Sequence, residues 1–170
     1  MKRLAILRHA KSSWDQAGLD DFQRPLNGRG RKAARRMGRE MKRRGIAFDL
    51  VLASPATRVR ETIEGVAEEY PGFDRNLRFE ESIYLADSST LIDLVHAFPD
   101  EIETALIVGH NPGLERLVLQ LTRDSERRSR VAEGYPTAAL ALIEFAPDRW
   151  QSMEPGSGDL VELILPRQLD

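Results

Sequence analysis

The sequence predicts an α/β three-layer sandwich, with a mostly parallel central sheet and helices on both faces. Three observations carry that reading. Short apolar runs alternate along the chain with longer amphipathic or charged segments. The runs at 4–7, 50–53 and 105–108 are continuous rather than alternating, as in strands buried on both faces. Polar residues follow the ends of these runs, which is where ligands bind in parallel sheets.

The first predicted strand is Lys2–Arg8, whose apolar run ends on Arg8 and is followed at once by His9. Residues 11–25 hold Gly18, Pro25 and several charges and read as a loop. A loop of this length in a compact domain is usually functional. Within it, Trp14 is expected to pack the loop down. Asn27 is an N-cap for a helix running to Arg44, and Gly45 stops it. Ala34, Met37, Gly38 and Met41 share one face of that helix, while nine Lys and Arg between Arg29 and Arg44 lie mostly on the other.

Residues 49–53 form the second strand. Ser54 caps, with Pro55 at the first helical position, a helix running to about Tyr70. Residues 77–80 form a short strand, and Ser88 or Ser89 caps a helix through Phe98. Residues 104–108 form the next buried strand. Asn111-Pro112 repeats the cap-then-proline arrangement and opens a helix to about Leu121. Residues 122–134 are polar and read as an exposed segment. Residues 138–145 and 160–165 are the last two strands, joined by a turn around Pro147-Asp148.

Composition sets further bounds. The 170 residues suit one domain with a sizeable core, so 1–170 is expected to be a single unit. Apolar residues at 41% and charged residues at 31% are the balance of a globular chain rather than a disordered one. No apolar run approaches the roughly 18–20 residues of a membrane span, so no membrane partner is expected. Arg8 and Lys11 interrupt the first apolar stretch, which therefore does not read as a signal-peptide core, and the cytoplasm is the expected compartment. With no cysteine, disulfides, thiolate catalysis and Cys-ligated metals are excluded.

Charge is spread unevenly. Residues 1–60 carry 16 Lys and Arg against 5 Asp and Glu, and residues 61–170 carry 9 against 22. The simplest expectation is that the two halves pair across the folded surface. A docking face for an acidic partner is the alternative. Nucleic acid is not expected, because no aromatic residues interleave the basic ones.

Arg8-His9, Ser54…Arg58 and His110 all fall at or just after strand ends, so three separate segments meet at one sheet edge. Two arginines, two histidines and two helix N-termini describe a site for a dianionic phosphate. The arginine fork matches phosphate oxygens, and helix N-termini add donors and a favourable dipole. A histidine there can attack phosphorus and carry the phosphoryl group. Neighbouring cations stabilise the transferring charge without a metal, and no cofactor is expected.

These segments also resemble a known family. Leu-Arg-His-Ala-Lys-Ser at 7–12 is similar to the Arg-His-Gly signature of the histidine phosphatase superfamily, which includes phosphoglycerate mutases and acid phosphatases. The run from Ser54 through Arg58 to Thr62 resembles its second signature, Ser-x-x-x-Arg-Ala-x-x-Thr. Val108-Gly109-His110-Asn111-Pro112-Gly113 resembles the third, and Arg24-Pro25-Leu26-Asn27 the segment before the first helix. The short chain and these variants are most similar to the SixA-type phosphohistidine phosphatases. The resemblance implies a phosphoglycerate mutase-like fold. It makes His9 the nucleophile, with Arg8, Arg58 and His110 binding the phosphoryl group.

Ala10 stands where the signature has glycine, which puts borrowed backbone geometry there in question. Glu81, in Glu81-Ser82-Ile83-Tyr84, resembles the mutase general acid, with Glu80 as a rival. The substrate implied is a protein phosphohistidine. The alternatives are a small phosphorylated metabolite, hydrolysed or isomerised by a mutase, and a basic-helix binding module with an idle pocket. His96 has no motif around it and reads as structural. Arg60 reads as solvated or paired with Glu64.

Overall fold

The structure is a computed structural model that describes residues 1–169. Its strands are β1 (Lys2–Arg8), β2 (Leu50–Ala53), β3 (Leu77–Phe79), β4 (Thr104–Gly109), β5 (Leu140–Phe145) and β6 (Asp159–Ile164). Its helices are α1 (Gly28–Arg44), α2 (Thr57–Glu69), α3 (Ser88–His96), α4 (Gly113–Leu121) and α5 (Glu126–Glu133). The sheet order is β3-β2-β4-β1-β5-β6. The first four strands in that order run parallel, and β5 and β6 are antiparallel additions at one edge.

The continuous apolar runs follow from this layering, because successive strand side chains point to opposite faces. Leu4, Ile6, Leu52 and Ile107 pack against α3, α4 and α5 through Leu91, Leu117 and Val131. Ala5, Leu7, Val51 and Val108 pack against α1 and α2 through Met37, Met41, Ile63 and Val66. Each fully buried Leu or Ile contributes roughly 1.5–3 kcal/mol of transfer free energy. A polar residue in the buried stretches 4–7, 50–53 or 105–108 would therefore face a core on one side or the other.

Local signals set α1. Asn27 Oδ1 accepts from the Gly30 amide at 2.8 Å, and Gly45 ends the helix at φ 67°. Gly30 has a second duty. A Cβ there would lie 2.1 Å from the Lys11 carbonyl oxygen, so only glycine lets α1 approach the segment that follows His9.

Several expectations are corrected. Ser54 does not cap α2: the helix starts at Thr57 and Ala56 holds the cap position without a side-chain bond. The Ser54 hydroxyl instead accepts from the Ala56 amide and pairs with His110. Asp87, not Ser88 or Ser89, caps α3 by accepting from the Thr90 amide, and the helix stops at His96. Residues 122–134 are not merely an exposed segment. Ser125 caps α5, and Val131 is buried against the core.

Trp14 does not pack the loop down: it is 78% exposed and stacks on the Arg24 guanidinium. Arg60 does not pair with Glu64. It donates to the Pro55 carbonyl and lies over the Phe79 ring. The opposite charges of the two halves do meet, since Arg35 and Arg39 of α1 pair with Glu68 and Glu69 of α2. His96 Nε2 donates to the Met153 carbonyl at 2.9 Å and lies apart from the pocket residues.

Candidate active site

The carboxyl ends of β1, β2 and β4 deliver the predicted residues to one cavity of about 360 Å³. Arg8, His9, Arg58 and His110 all line it, with Asp21, Arg24 and the exposed Trp14 and Leu85 at its mouth. Parallel pairing explains the convergence. Arg8 on β1 is in register with Gly109 on β4, and Ala53 on β2 with Val108. The residues just past those strand ends are therefore neighbours in space.

The second motif's spacing has a physical account. Arg58 and Thr62 are four residues apart on α2, hence on one helix face. Thr62 is fully buried, and its hydroxyl donates to the Arg58 carbonyl at 2.7 Å and accepts from the Ala10 amide at 2.9 Å. The helix that presents Arg58 thereby also holds the peptide beside His9. Ala10 does not take a positive φ and is completely buried, so alanine fits where relatives have glycine.

His9 is 6% exposed. Its Nδ1 lies 2.7 Å from the Ala10 carbonyl oxygen, which can only accept, so Nδ1 carries the proton. Nε2 then bears the lone pair, and it has no hydrogen-bond partner among the described residues. Burial, with Arg58, Arg8 and Arg24 nearby, holds the His9 pKa down at about 4, so the imidazole is neutral at physiological pH. A neutral, oriented imidazole with a free nitrogen is what nucleophilic attack requires.

His110 takes the opposite tautomer. Arg58 Nη2 can only donate, so His110 Nδ1 accepts from it at 3.3 Å, and Nε2 donates to Ser54 Oγ at 2.8 Å. Burial and the Arg58 charge hold its pKa near 3. The two imidazole centroids are 5.4 Å apart.

Both arginines are anchored and yet incompletely satisfied. Arg8 Nη1 donates to the Tyr135 carbonyl at 3.0 Å, a carbonyl shared with Asn111. Arg58 donates to the Asp21 carbonyl and carboxylate. Arg8 Nε and Arg58 Nε are buried with no partner among the described residues. Unpartnered buried donors cost about 1–3 kcal/mol each. Two of them beside an open cavity point to an anion that completes the set.

Asp21, which sequence reasoning passes over, is the carboxylate in this cavity. Burial alone would raise its pKa, but hydrogen bonds from Tyr84, Arg58 and Arg24 outweigh that and hold it at about 2. Tyr84 donates to Asp21 Oδ2 at 2.5 Å and meets His110 edge-on. Glu81 is brought elsewhere: it begins the 3-10 turn Glu81–Ile83, is exposed, and does not line the cavity. Glu80 caps that turn through the Ser82 amide. The signal for Asp21 was local, since Asp20 caps a 3-10 turn over Asp21–Gln23 just before Arg24-Pro25. Nothing local says which of the two carboxylates faces the pocket. No group of three or more metal-ligating side chains is present among the described residues.

Comparison with known proteins places this arrangement. Residues 4–81 match the model of the histidine phosphatase superfamily, branch 1. The chain belongs to that superfamily, and its class is that of a phosphatase. Among its relatives, the uncharacterized protein Rv1276c of Mycobacterium tuberculosis is 34% identical over 165 residues, covering 95% of this chain and all of the relative. Its fold is that of the protein assigned as phosphohistidine phosphatase SixA in Agrobacterium tumefaciens. The TM-score is 0.83 at 27% identity, covering 97% of this chain and 98% of that one. The protein histidine phosphatase SixA complexed with tungstate matches at TM-score 0.78 and 22% identity, with 98% of each chain covered. The phosphoglycerate mutase-like architecture expected from the motifs is the one observed.

Proposed function

We propose that this protein is a metal-independent phosphatase that works through a phosphohistidine on His9, with a phosphohistidine on another protein as its substrate. The observation that carries the reading is the pairing of His9 with two unsatisfied arginines. A neutral His9 Nε2 without a partner stands in the same cavity as the orphan Nε groups of Arg8 and Arg58.

The chemistry divides into two transfers. His9 Nε2 attacks phosphorus, the bond from phosphorus to the substrate imidazole breaks, and the released imidazole takes a proton. Water then attacks phospho-His9, releasing phosphate and a proton and restoring the imidazole. Arg8 and Arg58 hold the phosphoryl oxygens, with His110 lining the pocket behind Arg58. A bound dianion competes with Asp21 for Arg58, which frees that carboxylate to handle protons at the leaving group. Asp21 is better situated for this than Glu81, because it lines the cavity and Glu81 does not. A phosphoramidate also demands less of an acid than an ester does, since imidazole leaves more readily than an alkoxide.

Likeness to SixA proteins supports the protein substrate, as does an open pocket that a partner's side chain can enter. We further propose that residues 1–170 act as one domain in the cytoplasm; no helix among the described residues is long and apolar enough to cross a membrane. The test is a rapid quench with a labelled phosphohistidine protein. Label trapped on His9, turnover that persists in excess chelator, and no turnover in His9→Ala are the expected results. Activity surviving in His9→Ala refutes the mechanism, and faster turnover of sugar phosphates than of phosphohistidine protein refutes the substrate.

A further inference from the structure

The geometry points to Trp14 and Leu85 as a leaving-group subsite that gives the phosphoryl pocket a preference for flat unsaturated rings over alkyl groups. This rests on the phosphatase reading above and adds which residues select the substrate.

Two independent observations support it. The first is the indole of Trp14. It is 78% exposed yet not loose, because the Arg24 guanidinium carbon sits 3.5 Å from its ring centroid. That guanidinium is itself held by the Asp21 carboxylate, Ser12 Oγ at 2.7 Å and the Ser13 carbonyl. One face of the indole therefore lies on a fixed plate, and this exposed ring lines the cavity beside Arg24. Aromatic faces attract other rings by offset stacking and edge contacts, an attraction saturated chains do not share.

The second observation is the backbone of Leu85. It sits at φ 52°, one of two non-glycine residues with positive φ among the described residues. That conformation costs an L-residue free energy that a glycine would avoid. The chain accepts it and points a 57% exposed leucine into the same cavity. Strained positions cluster at ligand sites because the surrounding structure gains function from holding them. Core packing does not explain this one, since the side chain lies mostly in solvent.

The cavity thus has two parts. Arg8, His9 and Arg58 hold the phosphoryl group, and Trp14 with Leu85 lies where the rest of the substrate leaves. An imidazole or aryl leaving group places a ring against Trp14. An alkyl phosphate places nothing there that stacks.

Equilibrium binding of two non-hydrolysable probes tests this without turnover. Wild type is expected to bind phenylphosphonate about tenfold more tightly than methylphosphonate, the scale of one good aromatic contact. Trp14→Ala should bring that ratio to within about twofold, and Trp14→Phe should keep most of it. Leu85→Gly should also lower the ratio while leaving Tm no lower, because glycine relieves the strain; a merely structural Leu85 would show the reverse. A ratio near one in wild type, or a ratio unmoved by Trp14→Ala, overturns the subsite. Turnover assays separate the two readings. A phosphatase without the ring preference lacks the subsite, whereas ring preference without turnover through His9 leaves the subsite standing and the catalytic reading refuted.

Discussion

The two ends of the sheet each hold an arginine-lined cavity, and they differ in a way that volume misrepresents. The cavity at the amino ends of the strands is the larger, about 600 Å³ against about 360 Å³ for the one that holds His9 at the carboxyl ends. Yet its arginines are spoken for. Arg3 pairs with Glu144 at 3.0 Å, Arg44 with Glu162 at 2.8 Å, and Arg43 with Glu40. At the carboxyl ends, Arg8 Nε and Arg58 Nε are buried without partners, and a neutral histidine stands beside them. An anion entering the first cavity meets only paired arginines, whereas one entering the second, although it competes with Asp21 for Arg58, also finds two unfilled Nε donors. Unfilled buried donors and strand direction mark the functional end, and size does not.

Truncating one arginine at each end tests the comparison most directly. Arg58→Ala is expected to lower kcat/KM on an aryl phosphate by about a thousandfold or more, as loss of a transition-state cation does. Arg44→Ala should change it by less than about twofold and cost under about 1 kcal/mol, because exposed pairs contribute little. Comparable losses from both variants would erase the distinction. Asp21→Asn should lower kcat/KM by roughly ten- to a hundredfold, toward the low end of general acid–base contributions. Glu81→Gln should stay within about twofold of wild type on the same substrate.

A third difference appears in acid. His9 and His110 keep folded pKa values near 4 and 3, below the ordinary value of 6.5. The unfolded chain therefore binds protons first as pH falls, so stability is lost from about pH 6.5 downward. The expected slope is roughly 1.4 kcal/mol per pH unit for each histidine until the folded value is reached. Asp21, held at about 2, adds its own loss only below the ordinary carboxylate range. Urea unfolding at pH 7 and pH 5 measures the slope, and His110→Asn should roughly halve it. In the same assay Thr62→Val, which leaves the Ala10 amide unpaired, is expected to cost about 1–3 kcal/mol.

The legible parts of this protein are those that neighbours in sequence decide. The apolar runs of β1, β2 and β4, the Asn27 cap and the Gly45 stop were all readable because each depends on residues within one turn or one strand. The misread caps at Ser54 and Ser88 had the right residue types. Ser54 failed as a cap because His110, 56 residues away, engages its hydroxyl. Trp14 was misread because an exposed indole is the exception, and its support comes from a guanidinium that the Asp21 carboxylate helps to fix.

By itself the sequence determined the layered α/β plan and the arrival of Arg8, His9, Arg58 and His110 at strand ends. Strand periodicity and parallel direction are local properties that propagate to a common edge. Only the tertiary structure decided which charges stay unpaired. Asp21 reaches Arg58 across 37 residues and Tyr84 across 63, and Arg3 and Arg44 of the amino end find Glu144 and Glu162 in the same long-range way. Pairing depends on distances of a few ångströms between segments remote in sequence, which no local pattern encodes.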